Sequence, residues 1–212
     1  MHRFHASLPS RLIKAGFTTV EVMITLVIIA IAAALTGPAI LSMAPNMALK
    51  TAAQDLFSNI QEAKITAIKE NRDVFIQIGT DGYTIGEEFT DTNGNGIFDG
   101  GDVFDAANDD DDGDGAHTAD KTIVFANEYE YSIGLGTGNA TQTWTGGGIV
   151  QSPRIQFTAR GTAQTPGTVY IDIGDATKDT GVCYAIEVTV AGGIKSRKYD
   201  GTTPFNQNNW VL

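Results

Sequence analysis

Apolar and polar residues follow three different rhythms along the 212-residue chain. From Val22 to Leu41 there is no formal charge, a run close to the roughly 20 residues a helix needs to cross a bilayer core. It reads as a membrane span. Gly37-Pro38 near its end predicts a kink or loosening, because proline lacks a backbone donor and crowds the preceding turn. From Met47 to Asn71, Leu49, Ala52, Ala53, Leu56, Ile60, Ala63 and Ala67 recur at three- and four-residue intervals, with Lys50, Asp55, Gln61, Glu62 and Lys69 between them. That is an amphipathic helix facing a core. Joined end to end, Phe17 to Asn71 would form a helix about 80 Å long.

Beyond Asn71 the rhythm is that of strands. Val74–Ile78, Tyr83–Ile85, Thr122–Ala126, Arg154–Phe157, Val169–Ile173 and Tyr184–Val190 are short, rich in β-branched and aromatic residues, and bounded by Gly, Asp, Pro or Thr. Helix followed by strands predicts an α+β fold: a long N-terminal transmembrane-plus-amphipathic helix packed on an antiparallel β-sheet globular domain. The expected divisions are a leader (1–16), a membrane and assembly helix (17–41), its amphipathic continuation (42–71) and a β-rich domain (72–212) with an acidic insertion at 87–121.

The flank of the apolar run narrows its role. Residues 1–16 carry Arg3, Arg11 and Lys14 but no acid, as expected of a segment kept on the cytoplasmic side. A secretory signal would be cut after its apolar core, whereas the cleavage-like Ala15-Gly16-Phe17 precedes it. Glu21 stands at the start of the run. An ionised carboxylate is disfavoured by about 2.5–3.5 kcal/mol at a span's centre and less near the interface, so Glu21 calls for a partner.

Gly16-Phe17-Thr18-Thr19-Val20-Glu21 resembles the processing site of type IV prepilins and type II secretion pseudopilins: basic leader, glycine, a new N-terminal phenylalanine, and glutamate as the fifth mature residue. The resemblance implies cleavage after Gly16 by a prepilin peptidase and methylation of the new amine on Phe17. It also implies that Glu21 pairs with the N-terminal amine of a neighbouring pilin or pseudopilin subunit. Strong attraction between opposite charges in a low dielectric gives that pairing a physical basis. The implied location is the bacterial inner membrane, single-pass with a cytoplasmic leader, the head periplasmic or in an extracellular filament. A signal anchor with an interfacial glutamate is the plainer alternative. Farther on, "RIQFTARGTAQTPGTVYIDIG" and "YAIEVTVAGGIKSRKYDG" are similar to the C-terminal part of the GspH/FimT family of minor pseudopilins and minor pilins. Phe157 and Gly161 match its first turn. Gly193-Ile194 matches the second imperfectly, with Lys195, Arg197 and Lys198 in place of the arginine expected directly after the glycine.

Charge and chemistry add two points. The formal net charge is −11, and loss of the three leader cations takes it to −14, a surface that repels phosphate backbones and invites cations. "DTNGNGIFDGGD" fits the calcium-loop template D-x-[DN]-x-[DN]-G-x5-E except that Asp102 stands in for the closing Glu. The expected Ca2+ ligands are Asp91, Asn93, Asn95, the Ile97 carbonyl, Asp99 directly or through water, and Asp102; an acidic solvated loop is the alternative. Asp110, Asp112, Asp114 and Gly115 repeat half of the template, but Lys121 falls where the closing acid belongs, and a solvated acidic run is the better reading.

Enzyme chemistry finds little support. Cys183 is the sole cysteine and reads as a buried core thiol, and His117 is the only histidine beyond the leader, so neither a His-rich zinc site nor an intramolecular disulfide can be assembled. "GLGTGN" at 134–139 lacks the lysine and helix of a phosphate loop and reads as a turn. Asn139-Ala140-Thr141, a glycosylation acceptor pattern, has little weight beside a bacterial-type leader. Lys195, Arg197 and Lys198 could meet nucleic-acid phosphates, with only Tyr199 as a neighbouring aromatic; an ordinary charged hairpin is preferred. The resulting expectation is a non-enzymatic structural subunit, a minor pseudopilin of a type II secretion pseudopilus or pilus-like filament. A FimT-like minor pilin in DNA uptake and a major pilin remain the alternatives.

Overall fold

The computed structural model describes residues 16–86, 89–90, 103–104, 121–175, 177–203 and 205–211, with side chains at these positions except 35–42, 89–90 and 103–104. Contacts divide the chain into two units, Met1–Ser42 and Met43–Leu212. Helix α1 is assigned without a break over Thr19–Glu70, through both Pro38 and Pro45.

Among the described residues of the first unit the large apolar side chains are exposed. Val20, Val22, Met23, Ile24, Leu26, Val27, Ile28, Ile29 and Ile31 are each 46–63% exposed. At about 100° per residue such neighbouring positions point in every direction, so this stretch has no polar face to turn to water. Among the described residues no helix is long and apolar enough to cross a membrane. The run Val22–Leu41 continues past Ala34 into positions whose side chains lie outside the described set.

In the second unit the carboxyl-terminal part of α1 packs against strands. Leu49, Ala52, Ala53, Leu56, Ile60, Ala63 and Ala67, the stripe read from spacing, are all buried in the main core. The strands are β1 (Val74–Gly79), β2 (Gly82–Gly86), β3 (Phe89–Thr90), β4 (Val103–Phe104), β5 (Lys121–Val124), β6 (Ile133–Leu135), β7 (Arg154–Phe157), β8 (Ala163–Thr165), β9 (Gly167–Ile173), β10 (Cys183–Val188), β11 (Ile194–Tyr199) and β12 (Trp210–Val211); a short helix α2 spans Phe125–Glu128. Every pairing is antiparallel, in two five-stranded sheets ordered β5-β2-β1-β7-β8 and β12-β11-β10-β9-β6, with β3-β4 as a separate ladder. The single wrapped sheet expected from sequence is therefore two sheets.

Strand alternation explains how both sheets meet one helix. Val74, Ile76, Ile78, Ile155 and Phe157 of the first sheet and Val169, Ile171, Ile173, Ile186 and Val188 of the second share the core with the α1 stripe. The opposite face of the second sheet carries another cluster, Ala140, Tyr170, Cys183, Ala185, Tyr199 and Trp210, against which Trp144, Ile149 and Phe205 pack. The expected strand through Ala126 stops at Val124, because Phe125 turns its N–H to the Asp81 carbonyl (2.7 Å) and opens α2.

Polar contacts fix the helix between the sheets. Buried Asn59 donates to the Tyr83 hydroxyl, and Lys121 Nζ donates to Asn59 Oδ1 at 2.7 Å. Tyr129 donates to Asp55 at 2.9 Å, and Lys121 lies 3.5 Å from Glu62. At the far end Lys64 Nζ donates to the Gly192 carbonyl at 2.9 Å, where the β7–β8 and β10–β11 turns touch. A main-chain bond from Ala163 to Val190 (3.0 Å) joins the two sheets there.

Candidate functional site

The amino-terminal segment is built by one local interaction. Gly16, Phe17 and Thr18 precede the helix in non-helical backbone, and the N–H of Glu21 donates to Thr18 Oγ1 at 3.2 Å. Thr18 thus caps α1 while Glu21 stands three residues later, the spacing of a capping box. Glu21 also places its carboxylate in the first helical turn, where the free N–H groups favour negative charge. Nothing lies within 4 Å of a Cβ built on Gly16, and Phe17 is 81% exposed.

The expected calcium ligands Asp91, Asn93, Asn95, Ile97, Asp99 and Asp102, like the run 109–120 with His117, lie outside the described residues. Among the described residues no group of three or more His, Cys, Asp or Glu is placed to hold a metal. The backbone around the loop is informative. Thr90 pairs with Val103 and Phe89 with Phe104, so the two-residue ladder β3-β4 brackets positions 91–102, the twelve residues of the template.

The basic hairpin is divided by strand alternation. Lys195 and Arg197 share a face of β11 with Tyr199, whereas Lys198 lies on the other face with Ser196 and Ile194. Tyr199 is fully buried and offers no platform. Its place is taken by Trp144, whose ring lies 4.7 Å from the Arg197 guanidinium carbon and packs edge-on against Trp210 at 5.6 Å. The 52 residues between Trp144 and Arg197 hide this pair from a reading of local motifs.

Three smaller expectations also meet their surroundings. Gly138 of the glycine-rich turn gives its N–H to Asp172 at 2.9 Å, so a carboxylate of the chain itself occupies the place an anion would take. Burial raises the Asp172 pKa against the effect of that bond. Asn139 of the acceptor pattern donates its amide to the Gly201 carbonyl at 3.0 Å. Cys183 is free and buried, and burial, followed by the nearby Asp172 and Asp179 charges, pushes its thiol up to about 12. Such a thiol is no nucleophile at neutral pH.

A capped apolar helix opening a chain whose head is two antiparallel sheets on one amphipathic helix defines a pilin-like protein. The family model described as "Type II transport protein GspH" matches residues 52–192, and the chain belongs to the GspH family. Two crystal structures of the type IV minor pilin FimU from Pseudomonas aeruginosa, in space groups P21 and P65, are similar to it at 17% identity and a TM-score of 0.40. The first match covers 69% of this chain and 86% of that one; the second covers 70% and 91%. No curated protein matches the sequence.

Proposed function

We propose that this GspH-family chain is a non-enzymatic minor pseudopilin of a type II secretion system. Its apolar helix inserts in the inner membrane, a prepilin peptidase cuts after Gly16, and Phe17 receives a methyl group on its new amine. The mature subunit then leaves the bilayer for a bundle of N-terminal helices in a filament. The observation that carries this reading is the all-round exposed apolar surface from Val20 to Ile31, directly after an exposed Phe17. Such a surface needs lipid before assembly and neighbouring helices after it.

Glu21 gives assembly its register in this scheme. Its carboxylate accepts the ammonium of the next protomer's Phe17, and the pairing relieves the cost of each charge alone in a low dielectric. The test is assembly of Glu21→Ala and Glu21→Gln in cells or membranes carrying the rest of the machine. Both should be processed yet fail to enter filaments; normal incorporation of both contradicts the scheme.

Calcium at the 91–102 loop is a second part of the proposal, supported by the ladder that holds the loop's two stems side by side. Asp91, Asn93, Asn95, Asp99 and Asp102 would supply hard oxygen donors, and the Ile97 carbonyl a further one. The ion would offset the mutual repulsion of these carboxylates. Secretion is favoured over DNA uptake because Lys198 does not share a strand face with Lys195 and Arg197, which leaves no single basic face on the hairpin.

A further inference from the structure

Within the head, α1 buries one face and leaves the opposite face bare. At about 100° per residue, Met47, Thr51, Gln54, Ser58, Gln61 and Ile65 lie across the helix from the buried stripe of Leu49, Leu56, Ile60 and Ala63. All six are exposed and none is charged. The charges stand at the margins of this band, Lys50 on one side and Asp55 and Glu62 on the other.

That order is the reverse of a solvated face. Charge costs least at the positions that project farthest into water, so a helix that meets only water carries its charged residues there. An uncharged centre with a charged rim is the layout of a contact surface. A second observation falls on the same flank. Phe57, beside the band, is only half-buried, and with Tyr184 it lines a hollow of about 470 Å³ between α1 and the β10–β11 side of the second sheet. The band and the hollow share Gln54 and Ser58.

The shape of the band selects its occupant. It is one helix wide and about 27 Å long. A second helix laid along it covers the uncharged positions and drops a row of side chains into the hollow, whereas a sheet or loop of that length would bury the marginal charges too. Thr51 and Ser58 are small and seven residues apart, which admits a close neighbour. Gln54 and Gln61, also seven apart, offer amides that can bond across the contact and set its register. Met47 and Ile65, 63% and 61% exposed, supply apolar ends.

We infer that the face from Met47 to Ile65, with the hollow at Phe57, receives the corresponding helix of a different pilin-like subunit. The two helices run parallel, since both chains enter the same membrane. The facing residues of the partner are uncharged, because a carboxylate or ammonium set against Gln54 or Gln61 would be buried without a counter-charge. The inference rests on the filament reading and deepens it: a minor subunit has other subunits for neighbours, and this contact is additional to that of residues 20–31.

The test is cross-linking in membranes that carry the rest of the machine. Cys183 is buried, so a cysteine introduced at an exposed position is the thiol that a benzophenone maleimide reaches. Irradiation should join Gln54→Cys and Gln61→Cys to a peptide from the helix of another pilin-like subunit, identified by mass spectrometry. Lys195→Cys, on the outer face of the second sheet, should lack that product. Adding Ser58→Arg should cut the yield at both helix positions about tenfold while the melting temperature in detergent stays within about 2 °C of the parent. Adducts to lipid alone, adducts to a second copy of this chain, equal yield from Lys195→Cys, or a yield indifferent to Ser58→Arg overturns the inference. Amino-terminal processing in the same membranes separates the two levels. Normal cleavage after Gly16 without these adducts removes the head contact alone, while an uncut leader removes the filament scheme on which it rests.

Discussion

Thr18 and Glu21 are joined by a 3.2 Å hydrogen bond from the Glu21 N–H to the Thr18 hydroxyl, which fixes where α1 begins. The bond keeps Phe17 outside the helix and Glu21 inside its first turn. Thr18→Ala should loosen that turn by about 1 kcal/mol, whereas Thr18→Ser should retain the cap. Amide hydrogen exchange at Val20 and Glu21 is the measurement: faster exchange in the alanine variant and parent-like exchange in the serine variant are expected. Equal protection in all three would show that the hydroxyl does not hold the helix start.

The turns that meet at Lys64 give a sharp contrast between adjacent glycines. Gly192 has φ +74°, and a Cβ there would stand 1.9 Å from the Gly161 carbonyl oxygen. Gly193 would meet only the Thr189 hydroxyl at 3.0 Å. Gly192→Ala should therefore lower stability by about 2–4 kcal/mol and Gly193→Ala by less than about 1 kcal/mol. Urea midpoints report both; similar shifts would contradict the packing of the two turns.

Alkaline pH should destabilise the head by a defined route. Cys183 is raised from 9.0 to about 12 and Tyr83 from 10.0 to about 12, chiefly because burial disfavours their charged forms; Tyr129 is raised for the same reason. In each case the folded state keeps a proton that the unfolded chain releases first. These three groups therefore leave stability unchanged below about pH 9 and lower it as pH rises toward 12. Cys183→Ala should remove the part of the loss that begins near pH 9 and leave the tyrosine part above pH 10. A denaturation midpoint flat from pH 9 to 11 would contradict the burial of these groups.

Calcium should raise the melting temperature of the protein by about 5–10 °C at a free concentration 100-fold above Kd. Asp91→Ala and Asp102→Ala should abolish that increase while changing the metal-free value little. A melting temperature indifferent to chelator in the parent protein rules out the loop as a calcium site.

The sequence made some of this legible and hid the rest for physical reasons. The helical stripe from Leu49 to Ala67 was readable because burial on one face imposes the helical period on residues of a single type. β1 and β9 were readable as apolar, β-branched runs covered on both faces, and β7 because Ile155 and Phe157 alternate with Arg154 and Gln156. β11 was harder, since "IKSRKY" interleaves charges with a single fully buried side chain, Tyr199. β6, β8 and β12 have two or three residues each, too short to show a period. The division into two sheets depends on long-range pairing that no local pattern encodes. At the amino terminus, Thr18-x-x-Glu21 carried the spacing of a helix cap in plain view, so Thr18 could have been found there. The Arg197–Trp144 stack and the Lys64–Gly192 clamp join positions distant in the chain and had no local signal.

The most direct measurement is the intact mass and amino-terminal sequence of the protein after co-expression with a prepilin peptidase, beside the same protein without it. A product that begins at methylated Phe17 only when the peptidase is present is the predicted result. A retained leader, or a cut inside or after the apolar run, would contradict the account.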